Sequence, residues 1–247
     1  MSAGPLVRST VYALLQLLIT LPYALLSVLT FPLPALTRYR FVTRWTSIML
    51  RLAERVLGIR PRVLGRENIP PGPCVVLCKH QSAWETMALQ EIFPPQVWLI
   101  KRELLWIPFF GWGLAMLSPI AIDRGSGMKA LRQLVEQGKD RLNRGFWVVV
   151  FPEGTRTAPG QRGRYQTGGA LLAAKAGVPV VPVALNAGEV WPRNAFVKHP
   201  GTVTVSIGPA IDTRNATATD ITQRAEDWIE AEMQRISPHH GAAPPAA

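Results

Sequence analysis

This sequence predicts an α/β fold, a mixed sheet flanked by helices, with an N-terminal helical segment embedded in a membrane. Three observations carry that expectation. From residue 45 onward, short β-branched runs alternate with stretches of helical periodicity, the pattern of an α/β domain. Residues 9–37 form 29 consecutive positions without a charged side chain. One helix of that length would measure about 43 Å, more than the roughly 30 Å hydrocarbon core of a bilayer. Directly behind it, residues 1–66 hold nine Arg (8, 38, 40, 44, 51, 55, 60, 62 and 66) against one acid, Glu54, so +8 of the net +11 lies there.

The apolar segment comes first in the chain. Pro22 divides it, and Pro32 and Pro34 end it. The piece over 9–21 would span only about 20 Å as a helix. A hairpin of two short helices dipping into one leaflet is therefore preferred to a single kinked helix that spans. Either arrangement brings Arg38, Arg40 and Arg44 to anionic headgroups on the cytoplasmic side. No small-residue cleavage site precedes the Arg block, which speaks against a signal peptide. The expected division is an anchoring segment over 1–44, a catalytic domain over 45–237 and a disordered tail over 238–247.

Within the domain, residues 46–57 read as an amphipathic helix stopped by Gly58. Strand-like runs follow at 74–78, 97–100, 119–122, 146–151, 180–185 and 202–207. Helical stretches lie between them at 84–91, 128–143 and 168–176. The last helix, 220–236, aligns Ile221, Ala225, Trp228, Ile229, Met233 and Ile236 on one stripe. Pro182 marks its strand as an edge strand or the site of a bulge.

Charge narrows the classes of partner. A basic block against an apolar segment fits an acidic lipid surface, and no zinc-finger spacing or aromatic RNA-binding signature is present, so nucleic acid is not expected. Cys74 and Cys78 share one face of the CVVLC run and read as buried hydrophobes in a reducing compartment. No further ligands accompany them, so no metal or other cofactor is expected.

Four short motifs can carry chemistry. The first is Lys79-His80-Gln81-Ser82-Ala83-Trp84-Glu85, where a strand gives way to a helix. His is suited to take a proton near neutral pH, and a carboxylate on its other ring nitrogen would fix the tautomer. His80 and Glu85 are five residues apart, about 140° around a helix. They can meet only if His80 lies in the loop and Glu85 reaches back from the first helical turns. The second motif, Phe151-Pro152-Glu153-Gly154-Thr155-Arg156, follows a strand, at the kind of sheet edge where open α/β folds bind ligands. Arg156 offers a fork suited to phosphate. The third is Ile122-Asp123-Arg124 at another strand end, and the fourth is the Val-Pro-rich strand 178–183. Each alone is as easily a turn or a core strand.

In this order and spacing the four resemble the motifs of the glycerolipid acyltransferase family, whose best-known members are 1-acylglycerol-3-phosphate (lysophosphatidic acid) acyltransferases. The family's His-x4-Asp is represented by His80 and Glu85, a departure that keeps the charge on a longer arm. Phe151–Arg156 matches the third family motif without change, and Lys101-Arg102-Glu103-Leu104 with the run WIPFFGWG (106–113) is also similar. The resemblance covers roughly residues 70–190.

It implies acyl transfer from acyl carrier protein (acyl-ACP) or coenzyme A (acyl-CoA) to the sn-2 hydroxyl of 1-acyl-sn-glycerol-3-phosphate, giving phosphatidic acid. His80 would be the general base and Glu85 its orienting carboxylate. Arg124 and Arg156 would hold the acceptor's phosphate. Glu153 would contact the acceptor or brace the site, with Gly154 and Thr155 beside it, and Lys101 would face phosphate or the developing oxyanion. The expected location is the cytoplasmic face of an inner membrane. Other lysolipid acceptors, of lyso-ornithine or lysophosphatidylcholine type, fit the same motifs. A lipid hydrolase or thioesterase using Ser82 lacks the Gly-x-Ser-x-Gly elbow. Aromatic and aliphatic residues over 104–117 are candidates for an acyl channel, though such residues more often form plain core.

Overall fold

A computed structural model describes residues 4–123 and 127–237. Seven strands form one sheet: β1 (Ile59–Leu64), β2 (Val75–Cys78), β3 (Gln96–Lys101), β4 (Ile120–Ile122), β5 (Trp147–Val150), β6 (Val180–Leu185) and β7 (Gly201–Ile207). Their spatial order is β1-β7-β6-β2-β5-β3-β4. Strands β6, β2, β5, β3 and β4 run parallel to one another, β7 is antiparallel to β6, and β1 is parallel to β7. The sheet is therefore mixed, as expected. The central strands β2, β5 and β6 are buried along their whole length, which is why they read as continuous apolar runs.

The helices are α1 (Pro5–Val28), α2 (Ala35–Val42), α3 (Arg44–Leu52), α4 (Trp84–Ile92), α5 (Phe110–Ala115), α6 (Met128–Asn143), α7 (Gly168–Ala176) and α8 (Ala218–Ile236). Handedness sorts α4, α6 and α7. The β2–α4–β3 step crosses the sheet one way, whereas β4–α6–β5 and β5–α7–β6 cross it the other way. Right-handed crossovers then place α4 on the face opposite α6 and α7. The packing agrees: α7 contacts both α6 and α8, and all three contact the sheet, while α1, α3, α4 and α5 form the second group. Gly138 of α6 lets α7 come close, since a Cβ there would lie 2.5 Å from Leu172.

Several expectations change. Helix α1 does not break at Pro22 but continues to Val28, so the apolar segment is one helix of 24 residues followed by a turn and α2. The hairpin hinged at Pro22 is absent. Packing supports the helix beyond Pro22: the Tyr23 hydroxyl donates to the carbonyl of Phe41, and the two rings stack with centroids 5.3 Å apart. Arg38 turns inward, to the carbonyl of Phe31 and to Ser118 Oγ, both at 3.2 Å, while Arg40 and Arg44 are exposed. Strand β1 was not foreseen, because Arg60-Pro61-Arg62 breaks the apolar pattern; these residues are exposed on a sheet edge, where Pro and charge are tolerated.

Strand β6 is interior, and Pro182 sits at a bulge. Between the pairs Val183↔Ile207 and Val180↔Ile211, β6 advances three residues and its partner four. The Pro182 carbonyl still accepts from Gly208 N at 2.9 Å. Helix α3 continues as a π turn (Ala53–Leu57) to Gly58, which is left-handed at φ 76°, so the expected stop is in place. Helix α8 opens with a capping box between Thr217 and Asp220. Residues 238–247 and Arg124 lie outside the described residues.

Helix α1 is amphipathic in the inverted sense. Ser9, Tyr12, Gln16, Thr20, Tyr23 and Ser27 share the face turned toward the protein, and Ser9, Tyr12 and Ser27 are buried. Val7, Val11, Leu14, Leu18, Leu21 and Leu25 recur at three- and four-residue spacing on the exposed face. The helix is long and apolar enough to cross a membrane. Tyr12 belongs to the main core and meets the Trp191 ring edge-on at 5.4 Å, so α1 packs as part of the domain.

Candidate active site

The parallel strands β2, β3, β4, β5 and β6 all end at the same sheet edge, and there the motif residues converge. Beyond β2, Lys79 is fully buried and the His80 side chain is 14% exposed. The loop then turns into α4, with Glu85 in its first turn. The geometric demand set by the sequence is met: His80 Nδ1 lies 2.8 Å from Glu85 Oε1. That oxygen also accepts from Gln81 N at 2.8 Å and Ser82 N at 2.6 Å. Three donors thus close on one buried carboxylate oxygen at a helix N-terminus, where the backbone dipoles favour negative charge. Glu85 occupies the acid position without strain on the contact to His80.

The carboxylate at Nδ1 favours the tautomer with the proton on that nitrogen, which leaves Nε2 as the ring's other, cavity-side nitrogen, a tautomer assigned from its hydrogen-bond partner. The ring stacks on Phe151 with centroids 3.9 Å apart and planes 16° from parallel. The 151–157 segment also holds the His80 backbone from both sides. Glu153 Oε2 accepts from His80 N at 2.8 Å, and Thr157 N donates to His80 O at 2.8 Å. The two sequence motifs therefore form one unit. Gly154 makes the turn between them at φ 69°, in the left-handed region.

Behind His80 lies a buried charge cluster that the sequence did not disclose. Lys79 Nζ is 2.8 Å from Glu153 Oε1 and 2.9 Å from Glu230 Oε1 of α8, and donates to the Gln161 carbonyl at 3.1 Å. Tyr165 donates to the same Glu230 oxygen at 2.8 Å. Burial raises the Glu153 carboxyl above its ordinary range, opposed by Lys79, the His80 N–H and Thr157. Glu153 is not among the residues that line the cavity in front of His80; its contacts are to the His80 N–H and to Lys79.

That cavity has a volume of about 510 Å³, within the range of small-ligand sites. His80, Phe151, Gly154, Thr155, Arg156 and Lys101 line it, as do Leu104, Phe109, Phe110, Leu114 and Leu117 from the 104–117 stretch. Gln16, Thr20, Tyr23, Ala24 and Ser27 of α1 form another wall. Arg193 and Trp191, from the loop after β6, line it too. Of the predicted residues, His80, Glu85, Lys101, Glu153, Gly154, Thr155 and Arg156 come together here; Arg124 lies outside the described residues, and its neighbour Asp123 is exposed. Ser82 is fully buried, its Oγ accepts from Trp84 N at 3.1 Å, and it is not among the residues that line the cavity.

Lys79, Tyr165, Arg193 and Glu230 were missed. Lys79 directly follows an apolar strand, a signal that was available. Glu230, beside the apolar stripe of α8, was another.

Comparison with known proteins adds the following. The family model described as "Acyltransferase" matches residues 60–186. A Pseudomonas aeruginosa protein named 1-acyl-sn-glycerol-3-phosphate acyltransferase is 46% identical over 243 residues, covering 96% of this chain and 95% of that protein. The mouse protein named 1-acyl-sn-glycerol-3-phosphate acyltransferase alpha is 31% identical over 183 residues, covering 72% of this chain and 64% of its own. In structure, the 1-acyl-sn-glycerophosphate (LPA) acyltransferase PlsC from Thermotoga maritima superposes with a TM-score of 0.77 at 21% identity, over 93% of this chain and 95% of that one. That likeness concerns the fold.

Proposed function

The chain belongs to the acyltransferase family, and from that premise we propose that it acylates the sn-2 hydroxyl of 1-acyl-sn-glycerol-3-phosphate, giving phosphatidic acid. The donor is an acyl thioester, acyl-ACP or acyl-CoA. The observation that carries the reading is His80 held by Glu85 at 2.8 Å on the wall of a mainly apolar cavity. The cavity also carries Lys101, Arg156 and Arg193, and among the described residues no Asp or Glu lines it. An apolar space fits an acyl chain, and cations on its wall fit a phosphate.

In the proposed reaction, His80 Nε2 takes the proton of the acceptor hydroxyl as its oxygen attacks the thioester carbonyl. Glu85 offsets the charge on the imidazolium that forms. The tetrahedral intermediate then collapses by breaking the carbon–sulfur bond. The departing sulfur receives the proton from Nε2, which leaves the ring neutral again. Arg156, with Arg124, holds the acceptor's phosphate, and Lys101 faces the oxyanion or the phosphate. Lys79 and Glu153 act behind the ring by fixing the His80 backbone.

We also place the enzyme on a membrane, at the cytoplasmic face of an inner membrane where a cytosolic donor meets a lipid acceptor. The inverted α1 supports this, because its aliphatic face is exposed among the described residues and a lipid phase would cover it. The test is transfer from labelled palmitoyl- or oleoyl-thioester to 1-acylglycerol-3-phosphate by purified protein in detergent. Wild type should make phosphatidic acid. His80→Ala should lose about 10²–10⁴-fold in turnover while keeping its melting temperature. Full activity of that variant would remove His80 as the base. Wild type that acylates another lysolipid and not this one would overturn the acceptor assignment.

A further inference from the structure

Arg193 belongs to none of the four motifs, and it lies beyond the residues matched to the family. Yet it lines the same cavity as His80 and Arg156. Its Nη1 donates to the Arg156 main-chain carbonyl at 2.9 Å, which ties the Arg193 side chain to the segment that carries Arg156. No ion pair joins Arg193, Arg156 or Lys101 to a carboxylate among the described residues. Three like charges around one opening repel each other, and an anion between them relieves that repulsion.

The loop that carries Arg193 is fixed from the other side by α1. Ser9 Oγ accepts from Lys198 N at 2.9 Å, and the Tyr12 ring meets the Trp191 ring at 87°. His199 N closes the loop on the Val190 carbonyl at 2.8 Å. The neighbouring Lys198 spends its ammonium on the Phe196 carbonyl, at 2.9 Å, and over the Trp191 ring. Arg193 is thus the cation this loop presents to the cavity, on a base that α1 holds still.

We infer that Arg193 is a further phosphate-binding residue of the acceptor site, working beside Arg156 and held in place by the docking of α1. Its planar fork suits a phosphate's paired oxygens, and Nε and Nη2 remain to serve them. The inference rests on the proposed phosphorylated acceptor.

The experiment is a double-mutant cycle on full-length protein in detergent, with Arg193→Ala and Arg156→Ala alone and combined, and Arg193→Lys alongside. A charged hydrogen bond lost to phosphate should raise the KM for 1-acylglycerol-3-phosphate about 10- to 100-fold, more than it lowers kcat. The KM for the thioester should move less than twofold. Arg193→Lys should recover part of the loss. In the Arg156→Ala background, removing Arg193 should still raise the acceptor KM. If it changes nothing there, Arg193 acts only by supporting Arg156 and the inference is overturned. An unchanged acceptor KM in Arg193→Ala, with an unchanged melting temperature, overturns it as well. Wild type inactive on this acceptor would instead refute the proposed function, and the inference with it.

Discussion

At the scale of single residues, the notable object is one oxygen. Glu85 Oε1 takes Gln81 N, Ser82 N and His80 Nδ1, so the same carboxylate shapes the loop and orients the ring. An amide in its place keeps an acceptor but loses the charge that balances an imidazolium. Glu85→Gln should therefore lower kcat about 10²–10⁴-fold. Glu85→Asp keeps the charge on a shorter arm and should lose less. Steady-state turnover of the two variants decides it; equal activities would show that the charge contributes nothing. The pairing was implied by the family resemblance, and the five-residue separation added its condition, a loop His with Glu85 reaching back from the first helical turn. What was not legible is that Glu85 also organises backbone N–H groups, since that depends on the path of residues 81–83.

At the scale of elements, the sheet gathers the chemistry at the ends of its parallel strands, and α8 closes it from behind. Lys79 and Glu230 are 151 residues apart in sequence and 2.9 Å apart in the fold. No periodicity links such a pair, which is why the cluster escaped a reading by motifs. The strands were legible where β-branched runs are continuous, as in β2, β5 and β6. Strand β1 was not, because edge exposure permits the Pro and Arg that hide it. The buried cluster makes its own prediction. Lys79→Met leaves Glu153 and Glu230 buried without their shared cation, at a cost of about 3–5 kcal/mol. Its melting temperature should fall well below that of the triple variant Lys79→Met, Glu153→Gln, Glu230→Gln, whose site is neutral. Thermal unfolding in detergent tests this, and a triple variant no more stable than the single one would show that unpaired charge is not the cause.

At the scale of the whole molecule, α1 joins the proposed lipid contact to the chemistry. Its outer stripe is aliphatic and exposed, while its inner stripe walls the cavity. Leu14→Asp with Leu18→Asp should release the protein from liposomes in a flotation assay and leave kcat in detergent within about twofold, because neither side chain faces the cavity. Continued flotation of that variant would count against the membrane reading. The sequence revealed the length and apolarity of this segment but misjudged Pro22, since a proline breaks a helix only when nothing else supports it. Under the proposed lipid contact, the helix that walls the cavity also meets the bilayer, and the acceptor would reach His80 from within it. Its effective concentration is then a mole fraction in the surface and not an amount per litre. Adding inert phospholipid at constant acceptor should slow the enzyme by dilution in two dimensions, and adding water should not.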